Sequence, residues 1–140
     1  MSYTNFDLVE VRQKGDHKGL YARRRIARNT LLGCFDGSAH LVDMDTLRDD
    51  GAAGTLFWQQ SIHLERVGNT ILCLIPEGEL GGVDFLNHNC RANADVIDKL
   101  RVYSKRDIEE GEEIVADYRS FDLVPRGIRC WCDVPDPCVF

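Results

Sequence analysis

The stretch Asp84-Phe85-Leu86-Asn87-His88-Asn89-Cys90-Arg91-Ala92-Asn93 decides how this sequence is interpreted. On its own, the Asn-His pair is typical of a turn, and Cys90 stands in a loop from which its side chain can reach a partner. The other distinctive segment is the carboxyl-terminal part from Gly111 to Cys138. We expect the functional site to form where residues 87–90 meet residues 111–138.

The size and net charge of the chain exclude some classes of protein. A chain of 140 residues with 44% hydrophobic and 29% charged residues predicts one globular domain. The formal net charge of -6 and the lack of a basic stripe argue against direct nucleic-acid binding. An acidic protein attracts basic partners such as Lys-rich peptides.

The chain shows neither a secretory signal nor an apolar run long enough to cross a membrane. We therefore expect an intracellular protein, cytoplasmic or nuclear, that does not bind membranes. Secretion into a host cell stays open. In a reducing compartment, closely spaced cysteines indicate a metal site more strongly than they indicate disulfides.

Three cysteines lie close together near the carboxyl terminus. Cys130, Cys132 and Cys138 have C-x-C-x5-C spacing, and zinc prefers four tetrahedral ligands with thiolates favoured. Cys90 is the predicted fourth ligand, with His88 as the alternative. Free thiols or disulfides remain open, although a C-x-C pair rarely bridges itself.

Short apolar runs separated by Gly-rich turns predict a mostly β fold. Strands are predicted within 6–12, 20–22, 31–35, 57–62, 70–75, 95–102 and 114–116, and a helical turn or two at 43–48. Turns are predicted at 14–19, 36–38 and 68–69, and a flexible connection at 77–82. Residues 20–26 and 102–108 form a weak repeat, which predicts two related β units within one domain.

Five motifs together resemble the SET-domain family of protein-lysine methyltransferases. Residues 84–93 resemble the family's F-[IL]-N-H-S-C-x-P-N pattern, and Gly111-Glu112-Glu113-Ile114-Val115-Ala116-Asp117-Tyr118 resembles its G-E-E-[IL]-x-x-D-Y pattern. His17-Lys18-Gly19-Leu20-Tyr21-Ala22 resembles the amino-terminal G-x-G motif, and Phe35-Asp36-Gly37 the Y-x-G position. The cysteines from 130 to 138 resemble a post-SET zinc loop.

The resemblance covers nearly the whole chain, and the motifs occur in the family's order. It departs from the family at several positions: His17 replaces Gly, Asn89 replaces Ser, Ala92 replaces Pro and Phe35 replaces Tyr. The zinc loop is also one residue longer than the usual C-x-C-x4-C spacing.

The resemblance implies an architecture of several small sheets with a carboxyl-terminal pseudoknot and a zinc-binding post-SET loop. Residues 1–122 would form the SET domain, with a variable insert at about 43–60, and residues 123–140 the post-SET segment.

The resemblance also implies transfer of a methyl group from S-adenosylmethionine to a lysine side chain of a protein. It assigns Tyr118 to catalysis. The residues that it assigns to cofactor binding are Lys18, Gly19, Leu20, Asn87, His88 and Trp131. The residues that it assigns to the substrate channel are Phe35, Ala116 and Tyr118. Ala116 stands where many members place a Phe or Tyr beside the lysine.

The substrate would be a protein with a Lys-containing segment, a histone or histone-like protein among the candidates. A catalytically inactive SET-like module that contains zinc and binds a peptide is the alternative, since the two share the fold. Both a monomer and a homodimer are compatible with the sequence.

Overall fold

The computed structural model describes residues 3–43, 45 and 61–120. These residues form mostly β structure, as the pattern of short apolar runs predicts. The strands are β1 (Tyr3–Thr4), β2 (Val9–Lys14), β3 (His17–Ala22), β4 (Leu31–Cys34), β5 (Ser38–Asp43), β6 (Ile62–Val67), β7 (Thr70–Ile75), β8 (Asn87–His88), β9 (Ala94–Ile97), β10 (Arg101–Ser104) and β11 (Glu113–Ala116). Short 3-10 helices cover Gly82–Phe85 and Tyr118–Ser120.

The strands of the described residues lie in two sheets. The larger has the order β1-β4-β10-β9-β11-β3-β2, with β8 also paired to β11. The smaller has the order β5-β7-β6. β11 therefore lies at a junction: it is antiparallel to β3 and parallel to both β8 and β9.

The weak repeat corresponds to two structurally equivalent units. Ile26 and Ile108 occupy matching positions and face each other in an isolated antiparallel bridge. Each donates its N–H to the other's carbonyl, at 2.8 Å and 2.9 Å. Both side chains are buried, so the bridge joins the units at the centre of the core.

The equivalence extends to the turns that follow the bridge. Gly111 donates to the Ala22 carbonyl and Asn29 donates to the Ser104 carbonyl, both at 2.9 Å. Asn29 (φ 62°) and Gly111 (φ 83°) both adopt the left-handed conformation, which Gly and Asn tolerate better than other residues. The predicted pair of related β units is therefore present, and each closes a turn of the other.

A single apolar cluster fills the space between the strands. It combines residues from both units and from the segment before β8, and Tyr118 packs against its edge. Its fully buried members include Val9, Leu20, Leu32, Val83, Val102, Ile108 and Ile114. Among the described residues, no helix is long and apolar enough to cross a membrane.

Several predicted strand limits were wrong. The predicted turn at 14–19 is confined to Gly15 and Asp16, because Gly15 (φ 61°) alone supplies the reversal between β2 and β3. The predicted single strand at 95–102 is a hairpin, β9 and β10, whose turn holds Asp98 and Lys99 at φ 53° and 61°. Neither residue is a glycine, so the turn had no clear sequence signal.

The smaller sheet was only partly predicted. β7 and the turn at 68–69 are confirmed. β5 was missed, since the predicted turn at 36–38 includes Ser38, its first residue. β6 begins at Ile62, the last residue of the predicted strand 57–62, whose other residues up to 60 lie outside the described residues. At the start of the helical turn predicted at 43–48, Asp43 accepts a hydrogen bond from the Asp45 N–H at 2.8 Å.

Most of the predicted insert at 43–60 and the whole segment 123–140, with its zinc loop, also lie outside the described residues. The domain limits therefore stay predictions.

Candidate active site

The two diagnostic motifs meet side by side. β8 runs parallel to β11, with Asn87 opposite Val115 and His88 opposite Ala116. Asn89 continues the pairing by donating its N–H to the Ala116 carbonyl at 3.0 Å. The predicted meeting of residues 87–90 with the motif at 111–118 is therefore observed, and it brings Tyr118 beside His88.

The His88 imidazole points inward. Its side chain is completely buried, and Nδ1 accepts a hydrogen bond from the Tyr118 backbone N–H at 3.0 Å. A ring that accepts at Nδ1 carries its proton at Nε2 in the neutral form. Nε2 lies 3.8 Å from Sγ of Cys90. The imidazole thus connects Tyr118 to Cys90, and only the main chain of His88 remains to contact a cofactor.

Tyr118 is held at three points. Its hydroxyl donates to the Leu86 carbonyl at 2.6 Å, and its backbone is fixed by His88. Its ring lies 5.2 Å from that of His88 at an angle of 59°. The hydroxyl proton is directed at the Leu86 carbonyl, and a phenolic oxygen that donates in this way can still act as an acceptor.

Asn87 lies at the other end of β8. Its amide nitrogen Nδ2 donates to the Lys18 carbonyl and to Oε1 of Glu113, both at 3.0 Å. The other carboxylate oxygen, Oε2 of Glu113, pairs with Nζ of Lys14 at 2.5 Å. These contacts join β8 and β11 to the hairpin of β2 and β3.

The predicted cofactor loop on β3 forms a close-fitting cradle. A Cβ added at Gly19 would lie 2.8 Å from Oε1 of Glu113 and 3.2 Å from Nδ2 of Asn87, which is too close for a side chain. The Lys18 ammonium lies 5.3 Å from the Phe85 ring centroid, a cation–π contact. The side chain of Leu20 is fully buried in the core, so Leu20 can contact a ligand only through its main chain.

These residues fit the amino-acid part of S-adenosylmethionine. Gly19 allows close approach to the backbone, and Asn87 presents an amide whose Nδ2 hydrogens are already used. Its Oδ1 is suited to accept from an ammonium group. The donor and acceptor set therefore agrees with the ligand that the sequence motifs imply.

The two other predicted channel residues lie in the apolar cluster. Phe35 is buried and its N–H donates to the Leu100 carbonyl at 2.8 Å. Ala116 is fully buried on β11, between the positions of Glu113 and Tyr118. Tyr118 packs against this same cluster, so its ring borders an apolar environment that includes both residues.

Asp117 shapes the charge beside Tyr118. Its carboxylate receives hydrogen bonds from Nε and Nη2 of Arg119, at 2.9 Å and 2.6 Å. Partial burial raises its pKa, but the Arg119 hydrogen bonds and positive charge outweigh it, and the net pKa is lowered. Asp117 is therefore ionised at neutral pH and lies 3.9 Å from Nδ1 of His88.

Of the predicted zinc ligands, only Cys90 is among the described residues, where its side chain is half-buried. Trp131 and the ligands Cys130, Cys132 and Cys138 lie outside them. Within the described ranges no three His, Cys, Asp or Glu side chains could hold a metal. Of the two other described cysteines, Cys73 is buried and Cys34 is half-buried.

Sequence reasoning missed the roles of two residues at this junction. Glu113 accepts a hydrogen bond from the Asn87 amide, and Asn93 uses its buried side chain to pair with β11. Asn93 closes the first motif and Glu113 lies in the second, so both could be singled out from the sequence. Their contacts, however, depend on the fold.

Comparison with known proteins gives two findings. The SET domain profile matches residues 17–119, more than half of the chain. A curated relative from Candida albicans, named histone-lysine N-methyltransferase, H3 lysine-36 specific, is 26% identical over 142 aligned residues. The match covers 96% of this chain but only 16% of that relative. With the profile match spanning both motifs and the strands that join them, the chain belongs to the SET domain family.

Proposed function

We propose that this protein transfers a methyl group from S-adenosylmethionine to lysine side chains of a protein substrate. The observation that carries the proposal is the anchored Tyr118: His88 fixes its backbone and Leu86 accepts its hydroxyl proton. A tyrosine kept only for packing needs no such double constraint. The family and the printed name of the Candida albicans relative support the same activity.

The cofactor would be held by the ends of β3 and β8. The groups proposed to contact it are the side-chain oxygen Oδ1 of Asn87 and the main chain of Lys18, Gly19 and His88. S-adenosylmethionine supplies the methyl group, activated for transfer by the positive charge on its sulfur. The protein's contribution is to fix the position of both reactants, since alignment is the main source of rate in a reaction of this kind.

The lysine must lose its proton before it can attack. Its ordinary pKa near 10.4 makes the neutral amine rare at pH 7, a deficit of about 4–5 kcal/mol. An apolar channel disfavours the ammonium form and so lowers this cost. Phe35 and Ala116 provide such surroundings, and Tyr118 borders them.

Tyr118 would orient the amine. Its hydroxyl proton is committed to Leu86, so its oxygen can accept an N–H from the lysine and leave the nitrogen lone pair directed at the methyl group. This role requires neither ionisation of Tyr118 nor movement of its backbone.

Transfer of a labelled methyl group from S-adenosylmethionine to a panel of Lys-rich proteins, histones and ribosomal proteins among them, tests the proposal. We expect label on lysine in at least one substrate, located by mass spectrometry. Tight cofactor binding with no transfer to any substrate would instead support the inactive, peptide-binding alternative.

The substrate is proposed to be a histone or another Lys-rich protein. The net charge of -6 favours a basic segment, and the printed name of the relative refers to histone H3. Because this chain matches only 16% of that relative, the preference for lysine 36 belongs to the relative.

We also propose that Cys90 binds one zinc ion together with Cys130, Cys132 and Cys138. The surroundings of Cys90 support this proposal: its half-buried Sγ lies 3.8 Å from Nε2 of His88, and thiolate sulfur is a favoured zinc ligand. The zinc would join the site to the carboxyl-terminal segment and stabilise both.

We predict that Cys90→Ser lowers the zinc content from one ion per chain to below about 0.2, because a missing ligand typically removes most of the affinity. We expect cofactor binding to weaken as well, since Cys90 is connected to Tyr118 through His88. Atomic absorption on protein purified without added metal measures the first effect, and calorimetry with S-adenosylhomocysteine the second.

The matched control is Cys34→Ser, which alters a half-buried thiol on β4 and should leave the zinc content unchanged. Wild-type protein that is fully folded and free of zinc would contradict the zinc site. Equal zinc in the two serine variants would exclude Cys90 as a ligand.

A further inference from the structure

We infer that Glu113 is a positioning residue that fixes the orientation of the Asn87 side-chain amide, so that its carbonyl oxygen faces the cofactor's α-ammonium group. This inference rests on the proposed function, because it assumes that Asn87 contacts the amino-acid part of the cofactor. Glu113 itself would not touch substrate or cofactor.

The hydrogen bonds determine which way the amide faces. Nδ2 of Asn87 has two hydrogens, and two acceptors lie 3.0 Å away: the Lys18 carbonyl and Oε1 of Glu113. An amide rotated by 180° would place Oδ1 against these two oxygens and lose both bonds. The carbonyl oxygen is thereby directed away from Lys18 and Glu113, where it can accept from a cation.

Lys18 alone does not provide this constraint. With Lys18 as the one acceptor, only one of the two hydrogens is used, so an amide rotated by 180° loses one hydrogen bond instead of two. Glu113 is the stronger partner of the two because a charged acceptor forms a stronger hydrogen bond than a neutral carbonyl. Its carboxylate is in turn held by Nζ of Lys14 at 2.5 Å, although the two residues are 99 positions apart.

The glycine of the cradle fits the same arrangement. A Cβ at position 19 would lie 2.8 Å from Oε1 of Glu113, closer than real contacts allow. A side chain at position 19 would therefore displace the Glu113 carboxylate from its place beside Asn87, quite apart from any contact with the cofactor. Glu113, Asn87 and Gly19 form a unit in which each position restricts the others.

Two ligands distinguish a loss of Asn87 positioning from a general disruption of the binding site. S-adenosylhomocysteine carries the α-ammonium group, whereas 5′-methylthioadenosine lacks the amino-acid part and retains adenine, ribose and sulfur. We expect Glu113→Ala to raise the dissociation constant of S-adenosylhomocysteine about tenfold. We expect that of 5′-methylthioadenosine to change less than about twofold, since neither Asn87 nor Glu113 would contact it.

Two further variants sharpen the test. Glu113→Gln keeps an acceptor oxygen for Asn87, so it should restore most of the affinity for S-adenosylhomocysteine, to within about threefold of the wild type. Glu112→Ala removes the adjacent carboxylate, which pairs with Arg106, and should change neither dissociation constant.

Titration calorimetry measures both ligands against all four proteins. Equal weakening of the two ligands by Glu113→Ala, or no weakening of either, would overturn the inference while leaving the proposed function in place. Wild-type protein that binds no S-adenosylhomocysteine would overturn the proposed function first and this inference with it.

Discussion

Tyr118→Phe is expected to lower the rate of methyl transfer at saturating cofactor and substrate by a factor of about 10²–10³. Groups that position a proton or a developing charge in the transition state typically contribute effects of this size. Phenylalanine keeps the ring that packs 5.2 Å from His88 but removes the oxygen proposed to orient the amine. The loss should therefore appear in kcat and leave cofactor binding nearly unchanged.

The stability of this variant should fall only slightly. The Tyr118 hydroxyl donates a hydrogen bond to the Leu86 carbonyl, and a single neutral hydrogen bond contributes about 1 kcal/mol. The backbone bond from Tyr118 to His88 does not involve the hydroxyl and is retained. Single-turnover kinetics and thermal unfolding on the same samples separate the two effects.

Tyr103→Phe is the matched control for Tyr118→Phe. Tyr103 lies on β10, where it pairs with Asp95 and Leu31, so the same loss of a hydroxyl should leave the rate within about twofold. A Tyr118→Phe enzyme that retains a third or more of the wild-type rate would show that the hydroxyl does not orient the amine.

The sequence could single out residues that the fold brings together, because they are close together within each motif. Asn87, His88 and Tyr118 were singled out, and the structure pairs the two motifs through β8 and β11. Local spacing also predicted β7 and the turn at 68–69, where Gly68 adopts φ 60°. Where an apolar run and a glycine turn agree, local sequence determines the element.

The direction of the side chains within the site could not be predicted, because it depends on long-range contacts. The resemblance assigns His88 to the cofactor, yet its imidazole accepts a hydrogen bond from the backbone N–H of Tyr118, 30 positions away. The two acceptors of Asn87 are 69 and 26 positions away. A pattern of residue types gives no information about which of two such partners a polar side chain faces.

Some predicted strand limits were wrong for a related reason. Three consecutive residues of β5, Ala39 to Leu41, are exposed, so this strand lacks the alternation of buried and exposed residues that predicts a strand. Its partner β7 determines its conformation through cross-strand pairing along the whole length of the strand. Tertiary pairing here outweighs local preference.

Asn93 provides the second large effect, on folding rather than catalysis. Its buried side chain forms two hydrogen bonds with the main chain of β11, as a neighbouring strand would. Nδ2 donates to the Glu113 carbonyl at 2.8 Å, and Oδ1 accepts from the Val115 N–H at 2.9 Å. The Asn93 backbone N–H also donates to the Val115 carbonyl at 3.1 Å. One residue therefore satisfies three main-chain groups of the strand that carries the active site.

Asn93→Asp is expected to lower the free energy of unfolding at pH 7 by about 3–5 kcal/mol, because it places an unpaired charge in the interior. One carboxylate oxygen would accept from Val115, but the other would face the Glu113 carbonyl and repel it. A protonated carboxyl can donate to that carbonyl, so the destabilisation should shrink as pH falls toward 4. Urea unfolding at several pH values measures both effects.

Asn89→Asp makes the same chemical change at a site where only an acceptor is used. Oδ1 of Asn89 accepts from the Arg91 N–H at 2.8 Å, and a carboxylate can replace it, so we expect a change within about 0.5 kcal/mol. Equal stability losses in the two variants would show that a negative charge in this motif is what matters, and that Asn93 has no special role in pairing with β11. A large loss confined to Asn93→Asp would instead make the first motif as much a folding element as a cofactor site, because the residue that ends it holds β11 in register.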